Sequence, residues 1–320
     1  MFPLGFERGR PANRDIRVGI LMHEPVRSHP MAIEEVIDAT YGPYSVEIAA
    51  AKVGEYVGAT GDAPERWDRY APPGYASALL FAAAPRFLDD PRVKPFTGVL
   101  VHVDQTFTWH RPFAIGAGLV VSGRVDRVRE RQGSFFVTFV TEVDNSDGDR
   151  VLDAVATFLM GEGSLEASEG RREPEVWVRG HSEHPTVAPV PRPAGASLAP
   201  LTKSASRIDL VKYAGATGDF NPIHFDHQAA LSAGLQGIVV HGLLTAAWVM
   251  QVAASVSERP DPIAHLKFRF RNPLYPSEAV RVGGRLGNVA PDGADCQVSI
   301  DVVRGEEKLM TAVGVVRMDG

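Results

Sequence analysis

The chain has 320 residues, enough for about two average domains, with the 44% hydrophobic and 22% charged content of ordinary globular protein. A formal net charge of −6 lacks the basic excess of a general nucleic-acid binder, although local basic patches could still meet an anionic cofactor. The one cysteine, Cys296, excludes an intrachain disulfide and a multi-cysteine metal site, and fits a reducing compartment.

In chain order, the first 30 or so residues show no clear periodicity and read as an arm over the rest. A short helical stretch, Ile48–Tyr56, runs into a Gly-Asp loop at Gly61-Asp62. A longer apolar helix follows over Tyr75–Ala84, and then strands over Val99–Trp109, Leu119–Val128, Ser134–Val143 and Val151–Met160. Residues 161–199, rich in Pro, Gly, Ser and Glu, read as a linker; His181 and His184 within it read as solvated loop histidines. The order then repeats. A helix over Ile208–Ala214 leads into Gly218-Asp219, and an apolar helix follows over Leu243–Val256. Strands are expected over Ala264–Arg271, Val280–Leu286, Gln297–Val303 and Met310–Met318. Leu243–Val256 is apolar on most sides, which marks a helix surrounded by protein.

The repetition is also literal. Tyr56-Val57-Gly58-Ala59-Thr60-Gly61-Asp62 returns as Tyr213-Ala214-Gly215-Ala216-Thr217-Gly218-Asp219, six of seven residues identical. Val101-His102-Val103 through Phe107 is matched by Ala264-His265-Leu266 through Phe270. The economical reading is two copies of one α+β fold over 1–160 and 200–320, each an antiparallel sheet curled around a buried helix. The paired copies are expected to share one continuous curved sheet.

The residues with chemistry lie in the second copy. Gly218 permits a tight turn and Pro222 forbids a regular helix before it, so Asp219 and His224 sit on one structured loop. Such a pair suits general acid–base work on a bound water. Equally, Asp219 could cap the next turn and His224 could be a satisfied buried histidine. His241-Gly242 opens the apolar helix, where unpaired N–H groups and the helix dipole could hold a carbonyl oxygen as charge builds on it. Equally, Gly242 could serve only close packing.

Taken together, Tyr213-Ala214, Gly218-Asp219, Asn221-Pro222-Ile223-His224 and His241-Gly242 resemble the MaoC-like hydratase family, the (R)-specific enoyl-CoA hydratases of hotdog fold. The resemblance covers residues 200–320. The first copy resembles the degenerate companion hotdog of two-domain members, including the fatty-acid-synthase-like (FAS1-like) dehydratases, which makes the whole a double hotdog. The resemblance implies that Asp219 and His224 hold a catalytic water, that Asn221 braces the loop or shares the water contact, and that the Gly242 amide binds the thioester oxygen. Water would add across the 2,3-double bond of an enoyl thioester with (R) stereochemistry, or leave in reverse, without a redox cofactor or metal. In the first copy Trp67 stands where the motif has His224 and Pro73-Gly74 where it has His241-Gly242, so one site per chain is expected. Met250 stands where several single-domain relatives carry a serine that helps order the site.

The acyl chain is expected against Tyr75, Leu79, Leu80 and Phe81 of the first copy, with His241 also lining the substrate site. Lys267, Arg269 and Arg271 alternate on one strand face. They would meet phosphates of coenzyme A or an acidic acyl carrier protein, or form a solvated edge. Rival readings are a hotdog thioesterase, a non-catalytic substrate-binding subunit, and a hydratase for branched or dicarboxylic (mesaconyl-type) thioesters using Arg66, Arg69 and Arg111. No signal-peptide pattern opens the chain, and the apolar run Tyr75–Ala84 is too short to cross a bilayer. The expectation is a cytoplasmic enzyme with no nucleic-acid or membrane partner, with a homodimer and a single-chain pseudo-dimer as the two oligomeric alternatives.

Overall fold

The computed structural model describes residues 33–163, 170, 172, 185–291 and 293–319, so the N-terminal arm, His181 and His184 lie outside the described residues. The first copy comprises β1 (Thr40–Glu47), α1 (Ala50–Thr60), β2 (Tyr70–Ala71), α2 (Ala76–Leu88), β3 (Val99–Trp109), β4 (Phe113–Ala114), β5 (Gly118–Arg131), β6 (Ser134–Asn145) and β7 (Arg150–Gly161). The second comprises β8 (Leu201–Lys203), α3 (Arg207–Thr217), α4 (His227–Ser232), α5 (Gly242–Ala254), β9 (Ile263–Phe270), β10 (Val280–Val289), β11 (Asp295–Arg304) and β12 (Glu307–Arg317).

One antiparallel sheet of ten strands runs through both copies in the order β1-β5-β6-β7-β3-β9-β12-β11-β10-β8. Its second half repeats the first in reverse order, and the join at β3–β9 carries the symmetry in its register. Gln105 pairs with its own counterpart Phe268, and the flanking pairs Asp104–Arg269 and Thr106–Lys267 exchange when the copies are swapped. A pseudo-two-fold axis therefore passes between Gln105 and Phe268.

On the concave side, α5 buries every residue from Leu243 to Ala254 against β8–β12. Its counterpart α2 extends past the expected end at Ala84. Pro85 removes one helical hydrogen bond, but Phe87, fully buried and stacked 4.9 Å from Phe139, holds the last turn in place. The unforeseen β1 contains Gly42-Pro43 and lies at the sheet edge, where a missing N–H is tolerated.

Two expectations change here. β9 is hydrogen-bonded on both sides, so Lys267 and Arg269 do not form a sheet edge. They are exposed on the face opposite buried Ile263, Leu266 and Phe268, and Arg269 pairs with Asp104 at 3.3 Å. Arg66, offered for recognition of a second carboxylate, instead donates to the carbonyls of Ala254 and Ser257 at 2.8 and 2.7 Å, closing the C-terminal end of α5. Arg111 pairs with Asp149 at 2.9 Å, and Arg69 is exposed.

Candidate active site

A capping box starts α3: the Asp209 N–H meets the Ser206 hydroxyl, while the Asp209 carboxylate accepts from the Ser206 backbone N–H at 2.8 Å. The helix stops at Gly218, left-handed at φ 83°, whose N–H returns to the Ala214 carbonyl. The Gly-Asp signature is thus a helix C-cap followed at once by the candidate acid Asp219. Beyond it, the Asn221 side chain accepts from the Ile223 N–H at 3.4 Å and caps the single turn Pro222–His224. The bracing expected of Asn221 is a cap on the turn that carries the histidine.

Asp219 and His224 are 8% and 7% exposed. Ring atom Nδ1 of His224 lies 2.9 Å from the Val239 carbonyl oxygen. A carbonyl only accepts, so Nδ1 carries the hydrogen and Nε2 of the neutral ring keeps its lone pair. Burial pushes the Asp219 carboxyl up, with the facing His224 and the Asn221 N–H opposing; burial pushes His224 down, against the pull of Asp219. Both shifts move the pair toward its uncharged forms.

His241 is completely buried. Its Nε2 lies 3.2 Å from the backbone oxygen of Asp219, and its ring stacks on His224 with centroids 3.7 Å apart at 23°. It was expected to line the substrate; it packs behind the pair instead. Donor atoms of Asp219, His224 and His241 all fall within 4.8 Å, close enough for a metal to bridge. Backbone carbonyls take His224 Nδ1 and His241 Nε2, which leaves one ring nitrogen on each histidine for other work.

Gly242 is the first residue of α5, where an N–H has no intrahelical partner. A Cβ there would lie 2.9 Å from Phe270 Cε1, so the glycine also permits close packing. Close packing is thus shown at this residue, and its place at the helix start is the one the other reading needs.

The copies exchange helices across the pseudo-axis. From the first copy, Phe81 on α2 lies beside Gly218, with its Cβ 3.8 Å from where a Gly218 Cβ would stand. Ser77 accepts from the Tyr213 hydroxyl at 3.1 Å. Ala78, Phe81, Ala82 and Pro85 leave a partly exposed apolar stripe along α2. Tyr75 and Leu79, expected beside the acyl chain, are buried in the core, with Tyr75 packed 5.6 Å from Tyr56; Leu80 is equally buried. In return α5 supplies Met250 and Gln251 to the first copy's counterpart site. There, with Tyr56, Asp62, Trp67 and Gly74, they enclose a cavity of about 10 Å³. Met250 therefore bears on the degenerate site and not on Asp219–His224. Of the three basic residues, Lys267 and Arg269 point away from the site, while Arg271 directly follows Phe270.

Nothing in the sequence pattern singles out Phe220 and Phe225. They follow Asp219 and His224 directly and are 61% and 44% exposed. Large aromatic residues in a loop with no core periodicity were the available signal.

The MaoC-like domain matches residues 190–299, which hold Asp219, His224, His241 and Gly242, and the FAS1-like dehydratase domain region matches residues 35–154. The chain joins a MaoC-like domain to a FAS1-like dehydratase region. It is similar to the 3-hydroxyacyl-thioester dehydratase X of Mycobacterium tuberculosis, 28% identical over 235 residues, 72% of this chain and 75% of that one. Among solved structures, a MaoC-like dehydratase superposes with TM-score 0.74 at 22% identity over 90% of this chain and all of the other. A double-hotdog protein from Mycobacterium tuberculosis gives TM-score 0.60 at 13% identity over 89% of this chain and 98% of the other. The fold of this MaoC-like chain is a double hotdog, with the motif intact in one half only. No helix among the described residues is long and apolar enough to cross a membrane.

Proposed function

We propose that this protein is a hydro-lyase that reversibly hydrates trans-2-enoyl thioesters to (R)-3-hydroxyacyl thioesters, with coenzyme A or acyl carrier protein as part of the substrate. One observation carries the reading: a buried acid and a histidine with a free Nε2 lone pair lie within 4.8 Å of each other on one loop. The unpaired amide of Gly242, next in chain to the His241 stacked on that histidine, supplies the third function. The dehydratase and hydratase names of the relatives support the same class of reaction.

In this proposal the Gly242 N–H holds the thioester oxygen and draws electron density from C3. His224 Nε2 takes a proton from water as the water oxygen bonds to C3, and the protonated Asp219 carboxyl gives its proton to C2. The 2,3-double bond is consumed, leaving imidazolium and carboxylate, and one proton passed from His224 to Asp219 restores the starting pair. Dehydration runs through the same steps in reverse. The acyl chain lies along the Ala78–Phe81–Ala82–Pro85 stripe, and Phe220 supports the pantetheine arm.

The test follows enoyl-thioester absorbance with crotonyl-CoA and a longer 2-enoyl-CoA. Loss of absorbance without free thiol, abolished in Asp219→Asn and His224→Gln, is expected; chiral analysis of the product should give the (R) alcohol. Thiol release would make the protein a thioesterase, and activity surviving both substitutions would sink the site. Phe220→Ala should raise KM several-fold at unchanged kcat, the signature of lost uniform binding.

A further inference from the structure

We infer that His241 is a positioning residue that sets the acid–base pair in register with the Gly242 amide through its hydrogen bond to the Asp219 backbone. The inference rests on the proposed function and deepens it. The reaction needs a proton donor, a proton acceptor and an oxyanion donor held together, yet these come from two separate stretches of chain. Asp219 and His224 lie on the loop after α3, and Gly242 opens α5.

His241 is the N-cap residue of α5 and shares a peptide unit with the Gly242 N–H, so anchoring its ring restrains the backbone that carries the oxyanion donor. Its Nε2 lies 3.2 Å from the Asp219 oxygen. Because that carbonyl can only accept, Nε2 carries the hydrogen and Nδ1 keeps a lone pair. The same ring lies 3.7 Å from the His224 ring on one side and 4.9 Å from Tyr213 on another. One side chain thereby touches the acid residue, the base residue and the start of the oxyanion helix.

A ring present only to fill space would not need nitrogen. Nδ1 of His241 is buried without a hydrogen-bond partner, a burden that phenylalanine in the same volume would avoid. The feature that repays the burden is the Nε2 donor. The titratable groups facing the ring are Asp219, His224 and Tyr213, the last engaged with Ser77. Burial first and the neighbouring His224 second push His241 well below the ordinary histidine range, against the pull of the Asp219 carbonyl. It therefore stays neutral while His224 cycles, and the proton does not leak backwards to a second imidazole.

The experiment separates the donor from the ring. His241→Gln keeps an N–H where Nε2 stood, whereas His241→Phe keeps the ring and loses the N–H. Measured on a 2-enoyl-CoA, His241→Phe should lose about 100-fold in kcat with KM nearly unchanged, the scale of a 1 Å misplacement. His241→Gln should restore most of that loss. Full kcat in the Phe variant, or a Gln variant no better than Phe, would overturn the inference. Ring-nitrogen NMR of the wild-type protein tests it without any variant. Nε2-protonated His241 that does not titrate between pH 5 and 8 is expected; the Nδ1–H tautomer, or titration near pH 6.5, refutes it. Wild-type protein inactive on every 2-enoyl and 3-hydroxyacyl thioester would instead defeat the proposed function, and the NMR measurement would still decide whether the His241 bond exists.

Discussion

The two halves offer a matched pair of perturbations, because Gly242 and Gly74 are counterparts at the starts of equivalent helical segments. An added methyl at Gly242 would stand 2.9 Å from Phe270 Cε1 and 3.1 Å from Cδ1, the edge of a partly exposed ring that can yield by a few tenths of an ångström. Stability should change little, but the amide and the ring moving apart displace the oxyanion donor. Loss of such a donor costs about 100- to 1000-fold in kcat, so a displaced one should cost at least roughly 10-fold. At Gly74 the same methyl would lie 2.3 Å from the Tyr56 hydroxyl, inside a fully buried cluster with Met250 at 3.4 Å. Overpacking of this kind costs about 1–3 kcal/mol, and each kcal/mol lowers Tm by about 2–4 °C in a chain of this general size. Gly74→Ala should therefore lower Tm by several degrees while the folded enzyme keeps its kcat. Scanning calorimetry and initial rates on one 2-enoyl-CoA decide the matter. Unchanged kcat in Gly242→Ala, or equal loss of kcat in both variants, would refute the division of labour between the halves.

Three further outcomes follow from buried charges. Burial raises the Asp219 carboxyl, so the folded state holds its proton more tightly than the unfolded chain, and folding stability falls as pH rises through that interval. Asp219→Asn removes the burden, so melting curves should show the variant gaining on wild type as pH rises above the unfolded carboxyl range at about 4; a constant difference would contradict the assignment. Burial likewise lowers Lys203 from 10.5 to about 8, with Asp62 opposing, while its ammonium donates to the Gly61 carbonyl at 2.8 Å. Here the unfolded chain holds more protons between about pH 8 and 10.5, so wild-type stability should rise across that window relative to Lys203→Met. Equal pH slopes for the two proteins would remove Lys203 as the cause. Arg66→Met should cost about 1–3 kcal/mol in urea titrations, since it strips charge-assisted bonds from the Ala254 and Ser257 carbonyls, and should leave KM unchanged.

The two-copy fold was legible because its evidence is local: the repeated Tyr-to-Asp heptad, the helix too apolar for a surface, and alternating strands. Elements without such a pattern escaped notice, notably β1, interrupted by Gly42-Pro43, and the three-residue β8. The motif brings Asp219, Asn221 and His224 together because residues close in sequence are held by one loop. Which helix serves which loop is a property of the assembled pair, and no spacing encodes it. Tyr75 and Leu79 therefore read as acyl-facing, although in α2 the faces separate by helical phase and Phe81, with Ala78, Ala82 and Pro85, reaches the partly exposed side. For the same reason Arg66 and Lys267 read as free cations: only the folded chain shows one on α5 carbonyls and the other on the outer face of the sheet.

The exchange of helices explains why a chain with one complete motif retains two copies. Removing the first half would take away α2, and with it Phe81 beside Gly218 and Ser77 beneath Tyr213, so the catalytic loop would lose one wall. The degenerate loop is correspondingly free to become a clamp. Thr60 accepts from Gln251, Gly61 from Lys203, and Arg66 donates to the end of α5, so three contacts within seven residues tie the first copy to the second. Restoring histidine at Trp67 would not revive a second site. Tyr56 stands against Gly74, Met250 fills the space beside it, and the remaining cavity of about 10 Å³ admits at most about one water and no acyl thioester. The counterpart of the candidate site is occupied by the side chains that hold the two halves together, and in the proposed function catalysis in the other half depends on that hold.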